Sequence, residues 1–467
     1  LGDVYKRQEL SSAQNQTMEL SLEQTVRIAR LESPDAQTAR HSFRSAYWNY
    51  KYYRANYLPT LSLTSDPNLN RAINKITMGD GSVKFVEQNL LNTDLTLNLS
   101  QNVSWTGGSL FLETSAQRMD LFSEHKYSWQ TSPVMIGYRQ SLFGYNSLKW
   151  DKRIEPVRYQ EAKKSYVETL ELVSASAINK FFALATAQSN YDIASFNYAN
   201  ADTLYHYAQG RYNIGTITEN EMLQLELNRL TEETNRMNAR IEMDNCMQEL
   251  RSYLGIQEER EIRVRVSSRV PDFSINLNEA LALAYENSPD IQTMKRRKLE
   301  SESAVARARA NAGLKADIYL RFGLTQTADK LPEAYRNLLD QQYVSLSISL
   351  PILDWGRGKG QVRVARSNRD LVYTQVEQSR TDFELNVRKL VKQFNLQTQR
   401  VRIAARTDET ARRRNEVARK LYILGKSTIL DLNASISEKD SARRNYVSAL
   451  YNYWSLYYTP VSYTHLR

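Results

Sequence analysis

A loop that holds a nucleotide needs glycines spaced to cradle phosphate oxygens, a lysine to reach them and a Ser or Thr to ligate magnesium. Gly356-Arg357-Gly358-Lys359-Gly360 supplies glycines and a lysine. Its spacing is wrong, however, and Gly360 stands where the hydroxyl should be. Zinc needs several thiolate or imidazole ligands, and the chain holds one cysteine, Cys246, and four histidines. Cys246 can close no intrachain disulfide and reads as a small apolar residue on a helix. No HExxH, G-x-S-x-G, paired CxxC or EF-hand pattern occurs. The residues therefore predict no catalytic, cofactor or metal site, and the chain is not read as an enzyme.

Charge does not supply a function either. Lys and Arg number 62 against 52 Asp and Glu, a net +10. Such a balance suits nucleic acid or an anionic membrane surface. Here it is spread along helical stretches, without the clustered basic surface and stacking aromatics of a nucleic-acid module, so no nucleic-acid partner is expected.

The elements that must position any site are more informative. The 467 residues are 41% hydrophobic, with 29 Tyr but only 16 Gly and 10 Pro, which argues against a linker-rich or disordered chain. No apolar run is long enough for a transmembrane helix. Short, alternately apolar strands of a transmembrane barrel remain compatible with the sequence. The ends, 1–8 and 461–467, fit no neighbouring pattern and are expected to be non-native.

The sequence is written twice. At an offset of 255, Leu22, Ala29, Ser33-Pro34-Asp35 and Gln37-Thr38 fall on Leu277, Ala284, Ser288-Pro289-Asp290 and Gln292-Thr293. Further on the offset is 210, where Val134, Ile136, Tyr212 and Gly215 fall on Val344, Leu346, Tyr422 and Gly425. The change places about 45 extra residues in the first copy, which leaves a strand pair and a loop plug both open. The first repeat is expected over 18–272, with helices at 22–56, strands within 59–143 and a long helical hairpin at 147–254. The second is expected over 273–460, with helices at 278–312, strands at 316–351 and a hairpin at 357–458.

Pattern and punctuation carry that division. Pro34 and Pro289 each end one helix and open the next. Val344, Leu346, Ile348 and Leu350 alternate with three serines, as in a strand with one apolar face. Val167, Leu170, Ala177, Phe181, Leu184 and Tyr191, then Phe383, Val387, Leu390 and Phe394, keep coiled-coil spacing. The first of these runs spans roughly 60 residues, or about 90 Å of helix. So long a helix does not suit a compact enzyme domain. The strands in each half are too few to close a barrel, and an open edge in lipid would leave backbone groups unpaired. Other protomers must complete them.

A doubled helix–strand–long-hairpin plan resembles the TolC-like outer-membrane efflux proteins. Ser349-Leu350-Pro351-Ile352-Leu353-Asp354-Trp355-Gly356 is similar to that family's strand-to-helix junction, and Leu58-Pro59-Thr60-Leu61 to its first strand entry. Tyr212-Asn213-Ile214-Gly215 and Tyr422-Ile423-Leu424-Gly425 resemble its two hairpin tips. The likeness spans about residues 18–460. It implies a mainly α fold with a minor β part, trimerising into one transmembrane β-barrel and a periplasmic α-helical barrel. It further implies a homotrimer in the outer membrane of a Gram-negative bacterium, in contact with outer-membrane lipid. The trimer would be a passive exit duct whose tips dock a periplasmic adaptor, itself joined to an inner-membrane transporter. Tyr212, Ile214, Gly215 and Thr216 at one tip, and Tyr422, Leu424, Gly425 and Ser427 at the other, would form the docking surface. Glu221 and Asp431 match the family's acidic positions, so three copies of each would form carboxylate rings at the periplasmic aperture. Pro351, Asp354, Trp355 and Gly356 would turn strand into helix. The family's Tyr–Arg latch is half present: Tyr422 matches, and Ser427 replaces the arginine. Trp105, Phe111, Tyr138, Phe143, Tyr319, Phe322, Tyr343 and Trp355 are candidates for interfacial girdles. A soluble coiled-coil scaffold is the alternative reading. It explains the helices but not strands inserted at the same place in both halves.

Overall fold

The computed structural model describes residues 17–258, 260–424 and 426–464. They divide into two units, each drawing segments from both sequence repeats.

The first unit comprises 17–44, 162–291 and 379–464. Strand β1 (Met18–Ser21) pairs in parallel with β7 (Ile262–Arg265). Helix α1 (Leu22–Glu32) starts at a capping box, in which the Ser21 hydroxyl accepts from the Gln24 N–H and the Gln24 side chain accepts from the Ser21 N–H. It stops at Ser33, where α2 (Pro34–Ala55) begins. The second copy repeats this with α5 (Leu277–Asn287), Ser288 and α6 (Pro289–Ala312). Both serines are buried, and their hydroxyls accept from Ala36 N–H at 3.1 Å and Asp290 N–H at 3.1 Å. The doubled Ser-Pro-Asp is thus a doubled helix start.

Two hairpins complete this unit: α3 (Ser147–Asn213) with α4 (Glu219–Leu254), and α8 (Gln397–Ile423) with α9 (Ile429–Thr464). One core joins Ala29, Val173, Ala177, Leu184, Leu250 and Ile262, and a second joins Val26, Phe181, Phe394, Val401, Leu450 and Tyr453. Burial of these faces, more than helix propensity, holds such long helices.

Three details depart from the sequence pattern. Val391, not Leu390, is the buried residue between Val387 and Phe394. The second long run is broken at Leu396, between α7 (Arg357–Asn395) and α8. There the Asn395 amide bonds both backbone groups of Ile275, at 2.8 and 3.0 Å. The Leu396 N–H turns to the Gln393 carbonyl at 3.3 Å, a tightened turn. Finally, α9 runs to Thr464, beyond the expected end near 458, because extending a formed helix costs little. Residues 1–8 and 465–467 lie outside the described residues.

The second unit comprises 45–161 and 292–378. Its sheet is an antiparallel meander, β2 (Thr60–Ser65), β4 (Val83–Val103), β5 (Gly108–Leu121), β6 (Lys126–Ser141), β8 (Lys315–Ala328) and β9 (Leu339–Ser349). Strand β3 (Asn68–Thr77) continues β2 along the same partner β4. The interruption falls at Asp66-Pro67, where proline has no N–H for the ladder. The meander therefore has six staves. Homologous strands β8 and β9 are adjacent in the second repeat, whereas β4 and β5 intervene between β2 and β6 in the first. The extra residues form a strand pair, not a plug.

Candidate functional site

Pair register sorts the sheet into two faces. On one, Leu61 and Leu63 lie opposite Leu99 and Leu97. Leu99 lies opposite Leu112, and Leu112 opposite Ile136. Ile136 and Tyr138 then meet Phe322 and Leu320, and Leu320 and Ile318 meet Val344 and Leu346. Leu61, Leu63, Leu97, Leu99, Leu112, Ile136, Phe322, Val344 and Leu346 are all exposed in the single chain. So large a contiguous apolar surface needs a covering phase. Along β8 it takes in Ile318, Leu320, Phe322 and Leu324, whereas Ala316 on the same face is buried. At about 3.3 Å per residue and a tilt near 40° that stretch stands about 15 Å tall, within the height of a barrel's lipid-facing belt.

At one end of this face lie Arg118, Tyr127 and Trp129, the guanidinium sitting 5.1 Å from the tyrosine ring and 5.7 Å from the tryptophan ring. At the other end Trp105, in the β4–β5 turn, and Trp355, after β9, are 83% and 89% exposed. Amphipathic rings at both edges of an apolar band are the mark of a membrane interface.

The opposite face is polar. It carries Ser62 and Thr64, Thr96 and Asn98, Glu113, Arg139 and Arg321, and Ser345 and Ser347. Across it runs an aromatic row in which Phe111 stacks on Tyr319 at 6.0 Å, and Tyr319 meets Tyr343 edge-on at 5.7 Å. The row depends on Gly137, because a Cβ there would lie 2.0 Å from the Phe111 ring.

The strand-to-helix junction is built on Asp354. Its carboxylate accepts the N–H groups of Gly356 at 2.9 Å and Gly358 at 2.8 Å, capping the start of α7. Those two bonds, Gly358 first, hold its pKa below the usual aspartate value. The turn puts Trp355 at φ 54° and Gly356 at φ 83°. A positive φ is costly for tryptophan, and here it accompanies an indole left exposed beside exposed Ile352 and Leu353. Pro351 is exposed ahead of this turn.

In the first unit the two hairpin ends share one construction. Gly215, at φ 72°, is followed by Thr216, whose N–H reaches back to the Arg211 carbonyl at 2.9 Å. In the second hairpin the Lys426 N–H reaches the Leu421 carbonyl at 2.9 Å, the same six-to-one closure 210 residues on. Gly425 itself lies outside the described residues. Each next helix opens on a threonine: Thr218 exchanges bonds with Glu221, and Thr428 with Asp431. The Thr428 hydroxyl lowers the Asp431 pKa. Ile214 and Leu424 project as exposed apolar side chains, and Tyr212 is exposed beside them.

Residues 280–455 match the outer membrane efflux protein family. No curated protein matches the sequence. Among solved structures, the CmeC outer membrane channel of Campylobacter jejuni superposes with a TM-score of 0.69 over 95% of this chain and 85% of that one, at 15% identity. The outer membrane protein VceC of Vibrio cholerae gives 0.66 over 95% of both chains at 14% identity. The outer-membrane channel OprN gives 0.65 over 95% and 89%, also at 14%. The chain has the TolC-like fold. The mainly α architecture with a minor β part is as the resemblance implied.

Within this TolC-like chain the expected site residues fall into two groups. Pro351, Asp354, Trp355 and Gly356 come together at the strand-to-helix turn, and Tyr212, Ile214, Gly215, Thr216, Leu424 and Ser427 lie in the two hairpin turns. Tyr422 is half-buried in its turn. It lines a cavity of about 190 Å³ with Leu204, Tyr207, Arg419, Leu432 and Ile436, and burial pushes its pKa up. Glu221 and Asp431 sit where helix capping alone would place an acid. Phe111, Tyr319 and Tyr343 belong to the polar face and do not join a girdle, whereas Tyr138 lies on the apolar face with its hydroxyl on Thr106 in the β4–β5 turn. Trp129 and Tyr127 were missing from the sequence expectation. A β-bulge between Thr131 and Val134 shifts the alternation by one, so odd-numbered residues before it share a face with even-numbered ones after it. Pro133 inside that segment is the one sequence signal that points to it.

Proposed function

We propose that the chain is one protomer of a homotrimeric outer-membrane channel, the passive exit duct of a tripartite efflux or secretion system. The carrying observation is an open-edged sheet whose one face is a belt of exposed aliphatics rimmed by aromatics, with a polar face behind it. Open edges do not survive in hydrocarbon, so neighbouring copies must pair with β2 and β9. The polar face then lines water. The expected order of the two repeats, 18–272 and 273–460, fits a protomer that gives two hairpins to a periplasmic helical barrel in a Gram-negative cell.

The hairpin turns carrying Tyr212, Ile214, Thr216, Leu424 and Ser427 would dock a periplasmic adaptor bound to an inner-membrane transporter, which supplies the energy. No reaction is assigned to the chain. Glu221 and Asp431, repeated threefold, would draw cations into the aperture while still capping their helices. Reconstitution into planar bilayers tests this reading. The expected result is ohmic, cation-preferring pores whose preference weakens in Glu221→Gln/Asp431→Asn. Folded protein that inserts without conducting would contradict it.

A further inference from the structure

The strand pair β4–β5 sits in the middle of the sheet, between strands that are neighbours in the second repeat. We propose that this pair is part of the membrane wall, so that each copy of the chain contributes six staves and the closed barrel has eighteen. The inference rests on the trimeric channel reading and concerns what that channel is built from.

Three observations carry it. First, the apolar belt does not skip the inserted pair: Leu95, Leu97 and Leu99 on β4 and Leu110 and Leu112 on β5 are exposed on the same face as Leu61, Ile136 and Leu346. A plug folded into water would have no use for that belt. Second, β5 has 14 residues, β6 has 16, β8 has 14 and β9 has 11. All meet the roughly 9–11 residues a tilted strand needs to cross a bilayer. Third, six is an even number. The chain runs outward in β2, inward in β4, and so on alternately to an inward β9. A head-to-tail ring can therefore set β9 of one copy antiparallel to β2 of the next, with every backbone group paired. Both edge strands carry their aliphatics on the same face, Leu61 and Leu63 on one and Val344, Leu346 and Ile348 on the other.

Closing eighteen strands at the usual spacing and tilt gives a barrel about 36 Å across between backbones, against about 24 Å for twelve. Porins of this strand number enclose an aqueous channel. The outer end of such a duct would not be its constriction.

The test places a nitroxide at Leu97→Cys, Leu112→Cys or Leu346→Cys in a Cys246→Ala background, with Asn98→Cys and Ser345→Cys as opposite-face controls. Each full-length protein is reconstituted in phospholipid bilayers, and its collision rates with oxygen and with a water-soluble nickel chelate are compared. Oxygen should exceed the chelate several-fold at positions 97, 112 and 346 alike, with the order reversed at 98 and 345. Lipid exposure at 346 but water exposure at 97 and 112 would overturn the inference and leave the channel reading standing. Water exposure at 346 would sink both. Strands counted in a barrel section by electron microscopy decide the same point without labels: eighteen supports the inference, and twelve refutes it.

Discussion

Gly137→Ala should disrupt the polar face of the sheet out of proportion to one methyl group. The added Cβ would meet Phe111 Cζ at 2.0 Å and two further ring carbons at 2.5 Å. Neither backbone can yield, because Phe111 and Gly137 are paired residues in the ladder. The ring must leave, and with it the stacking on Tyr319. Overpacking typically costs about 1–3 kcal/mol and a lost aromatic pair about 0.5–1.5 kcal/mol. The expected destabilisation is therefore about 2–4 kcal/mol. The assay is the temperature at which the detergent-extracted particle loses its folded mobility on an unheated gel. Phe111→Ala in the same background removes the obstacle, so the double variant should be no less stable than Phe111→Ala alone. Wild-type stability in Gly137→Ala, or simple additivity of the two changes, would refute the reasoning.

Three further outcomes follow from the geometry. Thr218→Ala and Thr428→Ala should each cost about 1 kcal/mol and speed proteolysis at their own hairpin end, since each removes a helix cap; at the second end, wild-type cleavage should also quicken as pH falls through the lowered Asp431 pKa, because a depressed carboxylate stabilises only while ionised. Glu168 is pushed up to about 6 by burial and then by Asp290. A raised acid binds its proton more tightly folded than unfolded, so stability should decline as pH rises from the ordinary glutamate value to about 6. Glu168→Gln should accordingly raise stability at pH 7.5 by at most about 1 kcal/mol after solvent screening, seen as a higher melting temperature, and change nothing at pH 4. Leu97→Arg, on the apolar belt, should cost about 2–4 kcal/mol, whereas Asn98→Arg on the polar face should be tolerated, as measured by yield of folded protein in the membrane fraction.

The parts of the fold legible in the sequence are those where one residue type does one job. Ser33-Pro34 and Ser288-Pro289 mark helix junctions because a buried hydroxyl caps and a proline cannot continue. Val344 to Leu350 reads as a strand because no bulge disturbs its alternation. The hairpin turns show through Gly215, which adopts a conformation few other residues reach. Illegible were features that arise only from tertiary contact. The break at Leu396 depends on an asparagine amide gripping Ile275, 120 residues away in sequence. The outer aromatic rim at Tyr127 and Trp129 is hidden by a bulge that reverses parity. Tyr422 looked like a surface residue of its turn because turn chemistry is local, whereas the cavity that takes it is made by Leu204 and Tyr207 from the other hairpin. Glu221 and Asp431 were legible as a pair, but a capping acid and an aperture acid have the same sequence signature.

The central claim, that three copies share one membrane barrel, is tested most directly by weighing the particle. The chain, expressed behind a working signal peptide in a Gram-negative host, is extracted in detergent and measured by light scattering with the detergent subtracted. A particle of roughly 160 kDa, three copies of the 54.0 kDa chain, recovered from the outer-membrane fraction, is the predicted result. A folded monomer or dimer that stays in solution without detergent would contradict it.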